Sequence, residues 1–311
     1  MIKKFNHQGI TWIDVYAPTK NEVTDLAEEF KLHPLVASEL LTPSLRSKVD
    51  VYENFIYLIL HFPTCEICYG HDQSQPEVQD TQEIDFVIGE KFLLTTHYSP
   101  EPVLEEFSQI LDFQTGGYRA KGKVHAGHLL FTILRRFYQS LEEGLLYINQ
   151  SLKKTEANIF AGQEKEMVKV LSNLNRSLLD FRWALKNHND VLSSFEAAGR
   201  DFFGENFTYY LRAIIGEYEK IWNILESNRE TFNDLRSTNE SLLSIKTNET
   251  MKTLTAVAFI TLPLTLLGQI FGMSLISIPL GKDPNGFWIV LVIMAALAGI
   301  MFALAKHQRW L

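Results

Sequence analysis

No proline falls between Pro102 and Pro263, although the chain holds ten, so the middle of the sequence lacks the ring that most effectively breaks a helix. Charge is missing elsewhere: residues 253–281 contain no Asp, Glu, Lys or Arg, and neither do residues 287–305. Basic clusters are scarce as well. With a formal charge of -8 and no Lys/Arg group larger than the YRAKGK stretch at 118–123, which reads as a solvated turn, the chain lacks the counterion-displacing surface that nucleic-acid binding requires. The opening MIKKFNHQGITWIDVY has neither an apolar signal core nor an Arg/Ser-rich amphipathic pattern, so neither a secretory signal nor a transit peptide is expected. No G-x-x-x-x-G-K-[ST], G-x-S-x-G or H-E-x-x-H motif occurs, which leaves nucleotide-driven pumping and hydrolysis without sequence support. The two cysteines, Cys65 and Cys68, spell H-x3-C-x2-C-x2-H with His61 and His71. That spacing suits tetrahedral zinc, against the plainer reading of a reduced pair in a loop between strands.

Before Pro102, the runs at 10–16, 54–62, 83–89 and 91–97 have strand character and alternate with helical stretches near Val23 and Leu35. Beyond Gly116-Gly117, Gly162 and the 199–204 region divide the remainder into three expected helices, about 124–160, 163–198 and 205–272. In the last, apolar residues recur in three- and four-residue steps at Leu211, Ile214, Tyr218, Ile221, Leu225, Phe232, Leu235 and Leu242, with Asn228 and Asn239 in the same stripe. This is coiled-coil spacing. At ~1.5 Å per residue such a helix would form a rod of roughly 100 Å, a stalk continuous with a membrane span. His125 and His128, near a helix start, are expected to be solvated. Glu101, Glu105, Glu106, Glu142 and Glu143 are read as charged helix faces meeting water, with regulatory metal binding as the alternative.

Each uncharged run is long enough for a hydrocarbon core that takes about 20 helical residues. Lys246 and Lys252 precede the first and Lys306 and Arg309 follow the second, so positive-inside counting places both termini in the cytoplasm. The expected organisation is a cytosolic α/β and helical domain (1–204), a stalk (205–252), a first span with its outer end (253–281), a short extracytoplasmic loop (282–286), a second span (287–305) and a cytosolic basic tail (306–311). On the first span the three-four count continues through Asn248, Met251, Thr255, Ala258, Leu262, Thr265 and Gln269. Polar groups facing lipid cost several kcal/mol each unless partnered, roughly speaking, so this stripe should face protein or water. The second span has no strongly polar side chain between Trp288 and Ala305 and suits lipid. Two helices cannot enclose a channel, so a pore would need several copies of the chain; the competing reading is a tail-anchored dimer whose stripe pairs helices.

The residues Thr247-Asn248-Glu249, Met251-Lys252, Leu254-Thr255, Pro263-Leu264-Thr265, Gly272-Met273 and Ile278-Pro279 form one ordered block, and the H-P-L and R-x-K-V-x-V-Y-E-N-F-I-Y-L-I-L segments beginning at His33 and Arg46 and the pattern from Gln82 to His97 form another. In these blocks the chain resembles the CorA family of divalent-cation channels. The resemblance implies an α+β cytosolic domain of α/β/α type, a long stalk helix, two transmembrane helices and a funnel-shaped homopentamer in the cell membrane. It implies no enzyme activity and no prosthetic group. The partners it implies are the lipid bilayer, further copies of the chain and the transported divalent cation: Mg²⁺ first, Co²⁺ or Ni²⁺ next. Carried over residue by residue, it makes Asn248, Met251, Leu254, Ala258, Leu262 and Thr265 pore-lining, with Gly272 and Met273 at the outer mouth and Ser274 following them. The three-four stripe adds Thr255 and Gln269 to the pore face, and Pro263, which frees a carbonyl, is the expected hinge. A zinc transporter of the same superfamily and a non-conducting, metal-responsive scaffold are the alternatives.

Three departures from the family pattern bear on selectivity. Ser274 stands where the family has asparagine, so a carboxamide is replaced by a shorter hydroxyl. Ile276 and Leu280 occupy positions that are often acidic, which weakens electrostatic concentration of a dication at the entrance. Ala213 stands at the stalk aspartate used for metal sensing, and a methyl cannot ligate a hard cation.

Overall fold

In strands, side chains alternate between faces, so residue parity decides what each face of a sheet packs against. The computed structural model describes residues 1–7, 9–44, 46–64, 81–113, 125–272 and 285–308. These fall into two units, Met1–Leu235 and Arg236–Leu311. In the first, β1 (Ile2–His7), β2 (Ile10–Tyr16), β3 (Lys48–Val51), β4 (Ile56–Pro63), β5 (Thr81–Ile88) and β6 (Phe92–His97) form a six-stranded sheet in the order β1-β2-β6-β5-β4-β3. The β2–β6 pair is parallel and the other neighbours are antiparallel. Ile13, Val15, Tyr57, Ile59, Val87 and Leu94 face one side and meet Val23 and Leu26 of α1 (Lys20–Phe30) and Val36 of α2 (Pro34–Glu39). Trp12 and Phe62 face the other, where their rings pack on Phe107 of α3 (Pro102–Phe113) and Phe137 of α4 (Ala126–Phe160) at 5.4 and 4.4 Å. Helices thus cover both faces of the sheet, as an α/β/α arrangement requires.

Local chemistry sets the boundaries. At the start of α1 the Thr19 side chain accepts from the Glu22 amide while Glu22 accepts from the Thr19 amide, a capping box that contributes about 1 kcal/mol. The expected helix over 163–198 is two helices, α5 (Glu164–Leu185) and α6 (His188–Phe203), broken at Lys186 and Asn187. Hydrogen bonding at the buried His188 accounts for the break. Tyr138 donates its hydroxyl proton to Nδ1 at 2.9 Å, Nε2 donates to the carbonyl of His61 at 2.8 Å, and burial pushes the imidazole down to about 3. A neutral ring is therefore fixed in one tautomer between α4 and β4.

A short 3-10 turn, Glu205–Phe207, leads into α7 (Thr208–Gly272), which is continuous across the unit boundary. Within the first unit its stripe Leu211, Ile214, Tyr218, Ile221, Leu225, Phe232 and Leu235 is buried. Asn228 lies in that stripe fully satisfied: it accepts from Asn149 Nδ2 at 2.8 Å and donates to the Leu145 carbonyl at 2.9 Å. Close packing extends to Gly199, where a Cβ would come within 2.8 Å of Leu211 Cδ1. The second unit holds the rest of α7 and α8 (Gly286–His307), and both helices are long and apolar enough to cross a membrane.

Two solvation expectations are corrected. His125 is not solvated: its ring stacks on Phe203 at 4.4 Å and meets Phe207 edge-on, and burial with the neighbouring His128 pushes it down to about 4. Glu101 is also buried, and burial raises its carboxyl to about 7. Glu142 does meet a partner, Lys220, at 2.6 Å.

Candidate functional site

A helix that presents polar side chains inside a membrane must turn them away from lipid, so the face that α8 covers decides what remains available. On α8 the less exposed positions are Gly286, Val290, Met294, Leu297, Ala298, Met301 and Ala305, one stripe at helical spacing. On the apolar part of α7 they include Ala256, Ile260, Pro263, Leu264, Leu267 and Phe271. At about 100° per residue this second set occupies one side of α7; Met251, Thr255 and Leu262 lie on the opposite side, and Thr265 and Gln269 continue that side toward the edge of a depression shared with Met294 of α8. All five of those residues are exposed, and Ala258, which falls on the same side, is half-buried. Met251, Leu254 and Leu262 are 59%, 64% and 68% exposed, and Val257, Phe259, Leu266 and Ile270 on the flanks are exposed as well. Asn248, one turn earlier, is exposed too.

The hydroxyls on α7 are oriented by the backbone. Thr255 donates to the Met251 carbonyl at 2.8 Å, Thr261 to that of Val257 at 3.0 Å, and Thr265 to that of Thr261. A hydroxyl has one proton, and once it is committed to a carbonyl only lone pairs face outward. Thr255 and Thr265 therefore present acceptors to whatever lies before them. Thr261 was not singled out in the sequence, although its place one turn before Thr265 was a usable signal. With Thr265, Gly268, Gln269 and Met294 it lines a shallow depression beside α8. Pro263 sits inside α7 between these two back-bonded threonines. Such bonds help a proline-containing membrane helix keep its carbonyls satisfied and favour a bend.

Gly272 ends α7 and is exposed, whereas Met273 and Ser274 lie outside the described residues. So do Cys65, Cys68 and His71 of the zinc-like spacing. His61 has both ring nitrogens engaged: Nδ1 lies 2.8 Å from the Ser47 hydroxyl and Nε2 lies 2.9 Å from the Ser44 carbonyl and 3.1 Å from Glu83. Burial opposes its charge, but the Glu83 carboxylate and the Ser44 carbonyl together raise its pKa. The ring serves the local hydrogen-bond network. Among the described residues, no group of three or more His, Cys, Asp or Glu is arranged to hold a metal ion.

The sequence profile described as "CorA-like Mg2+ transporter protein" matches residues 7–307. The cobalt/magnesium transport protein CorA of Thermotoga maritima is 26% identical over 302 residues, spanning 97% of this chain and 83% of its own length. Its namesake from Methanocaldococcus jannaschii is 23% identical over 308 residues, spanning 99% and 93%. The complete structure of the CorA magnesium transporter from the same archaeon matches in fold with a TM-score of 0.81 at 21% identity, covering 99% of this chain and 93% of that one.

Proposed function

We propose, from the premise that the chain belongs to the CorA-like Mg2+ transporter family, that it is a homopentameric channel of the cell membrane through which Mg²⁺ passes down its electrochemical gradient. The observation that carries this reading is the exposed face of α7 opposite the α8-covered side, where acceptor-only threonines alternate with large apolar residues. Five copies of that face around an axis would give rings of Asn248, Thr255 and Thr265 between rings of Met251, Leu254 and Leu262. Mg²⁺ loses its waters reluctantly, so a pore handles it best by accepting hydrogen bonds from the hydrated ion. The apolar rings supply a constriction that stops ions by dewetting when narrow, and Pro263 is the hinge beside it. Both chain ends lie in the cytoplasm on this reading, with Gly272, Met273 and Ser274 at the outer mouth. Co²⁺ and Ni²⁺ are further substrates.

Regulation by cytosolic metal is proposed to be weak. Ala213 is exposed on α7 and offers no oxygen ligand, and its neighbour Arg212 is paired with Glu196 at 2.8 Å. The function is tested with purified protein in liposomes loaded with a Mg²⁺-sensitive dye. Uptake faster than in empty vesicles is expected, and equal uptake would leave a non-conducting scaffold as the reading.

A further inference from the structure

In the first unit a cleft of ≈ 860 Å³ separates the C-terminal part of α5 from the ends of β4 and β5. Its size lies within the roughly 300–1,000 Å³ of small-molecule sites. The two walls differ in how far their polar groups are already used. On the strand side, Glu83 accepts from the Ser44 amide at 2.7 Å and faces His61 at 3.1 Å, and Tyr98 donates to Asp85 at 2.9 Å. The side chains of His61, Gln82, Glu83 and Tyr98 on that wall thus already have partners. On the helix side, Leu179, Arg182, Trp183 and Lys186 share one face of α5 and its cap, at the three- and four-residue spacing that makes them neighbours. Asp180 also lines the cleft and is already engaged.

Neither Arg182 nor Lys186 makes a side-chain ion pair among the described residues, so the helix wall carries two cationic side chains without a direct partner, in a cleft that Glu83 and Asp180 also line. Between them stands Trp183, 79% exposed, with Leu179 one turn before it. An indole left open to water beside two unpaired cations offers a stacking surface next to an anion site. Arg182 and Lys186 stand four residues apart on one helix face, so both flexible side chains can reach the same polyanion.

The geometry points to this cleft as a binding site for a nucleoside di- or triphosphate, with the base stacked on Trp183 against Leu179 and the phosphates held by Arg182 and Lys186. Side chains do the holding, so the lack of a glycine-rich phosphate loop is no obstacle. The ligand is one the pore does not use, and the site stands whether or not the protein conducts.

Equilibrium dialysis of the full-length protein in detergent, with labelled ATP in buffer containing EDTA, tests this directly. Unlabelled ATP, inorganic tripolyphosphate and adenosine serve as competitors. Retention of ATP is expected, with tripolyphosphate and adenosine each at least tenfold weaker competitors than ATP. Trp183→Ala and the double variant Arg182→Gln/Lys186→Gln should each weaken retention at least tenfold, and because these side chains project from the helix surface both proteins should elute at the wild-type size. The proposal is overturned if the wild type retains no ATP, if tripolyphosphate competes as well as ATP, or if Trp183→Ala binds unchanged. A Trp183→Ala protein that elutes as a smaller species while the wild type ignores ATP would also overturn it and make this face a subunit contact.

Discussion

Glu101 shows how a single side chain couples the first unit to pH. Its carboxyl is raised from 4.5 to about 7, chiefly by burial, while the Val103 amide and the charge of His97 act in the opposite direction. An acid raised in the folded state favours folding fully below its ordinary pKa, and that contribution is lost as pH climbs through the folded value. His97 works in the same sense. Burial opposes its charge, but Asp14 raises it overall, so its contribution too is present at low pH and lost as pH rises. The Glu101 and His97 contributions should therefore fall between about pH 5 and pH 8, while His125 and His188, held neutral by burial, contribute in the opposite sense below about pH 6.5, so the Glu101 effect is read as a difference between variant and wild type. Glu101→Gln, which keeps an acceptor for the Val103 amide, should melt higher than wild type at pH 8 by on the order of 3 kcal/mol and close to wild type near pH 4. Melting curves that shift equally for both proteins across this range would exclude Glu101 as the source.

At the proposed mouth, Ser274→Asn should restore a carboxamide acceptor and raise the preference for hydrated Mg²⁺ over Co²⁺, and Ser274→Ala should lower it. Ion-flux ratios identical in all three proteins would make the segment a structural turn only.

Asn228 makes the comparable case for whole elements. It joins α4 to α7 through two hydrogen bonds between apolar neighbours in the stripe, Leu225 and Phe232, where an unpaired polar group is costly. Asn228→Ala should destabilise the protein by about 1–3 kcal/mol and loosen amide-exchange protection of α7 near this position; a loss under ~0.5 kcal/mol would show that the pair does not fix the register. The periodicity of α7 was legible in the sequence because every member of its stripe through Leu235 packs as the three-four count requires. The edge strands β1 and β3 were not: KVDV alternates charged and apolar residues, but it is only four residues long and none of its positions is fully buried. Nor was α3, whose Pro102 reads as a breaker although it occupies the helix's first residue, where proline is tolerated. The break at Lys186-Asn187 depends on His188 reaching Tyr138 and the His61 carbonyl, contacts between segments far apart in sequence. The sequence proposes the candidate face of α7 residue by residue, whereas the side of α7 that is less exposed becomes visible only with α8 in place.

For the whole molecule the claim is an assembly in which the α7 face that α8 leaves uncovered surrounds the ion path. Mass measurement of the detergent-solubilised protein should give five copies, and a dimer would remove the ring. The path itself is tested by Mg²⁺ uptake into vesicles with cysteine variants made in a background where Cys65 and Cys68 are serine. Leu262→Cys lies on the uncovered face, and Leu267→Cys lies on the side that packs toward α8. A charged thiol reagent should abolish most uptake through the Leu262→Cys protein and leave the Leu267→Cys protein conducting. Uptake that the reagent leaves untouched in Leu262→Cys, or blocks equally in both, would contradict a pore lined by this face.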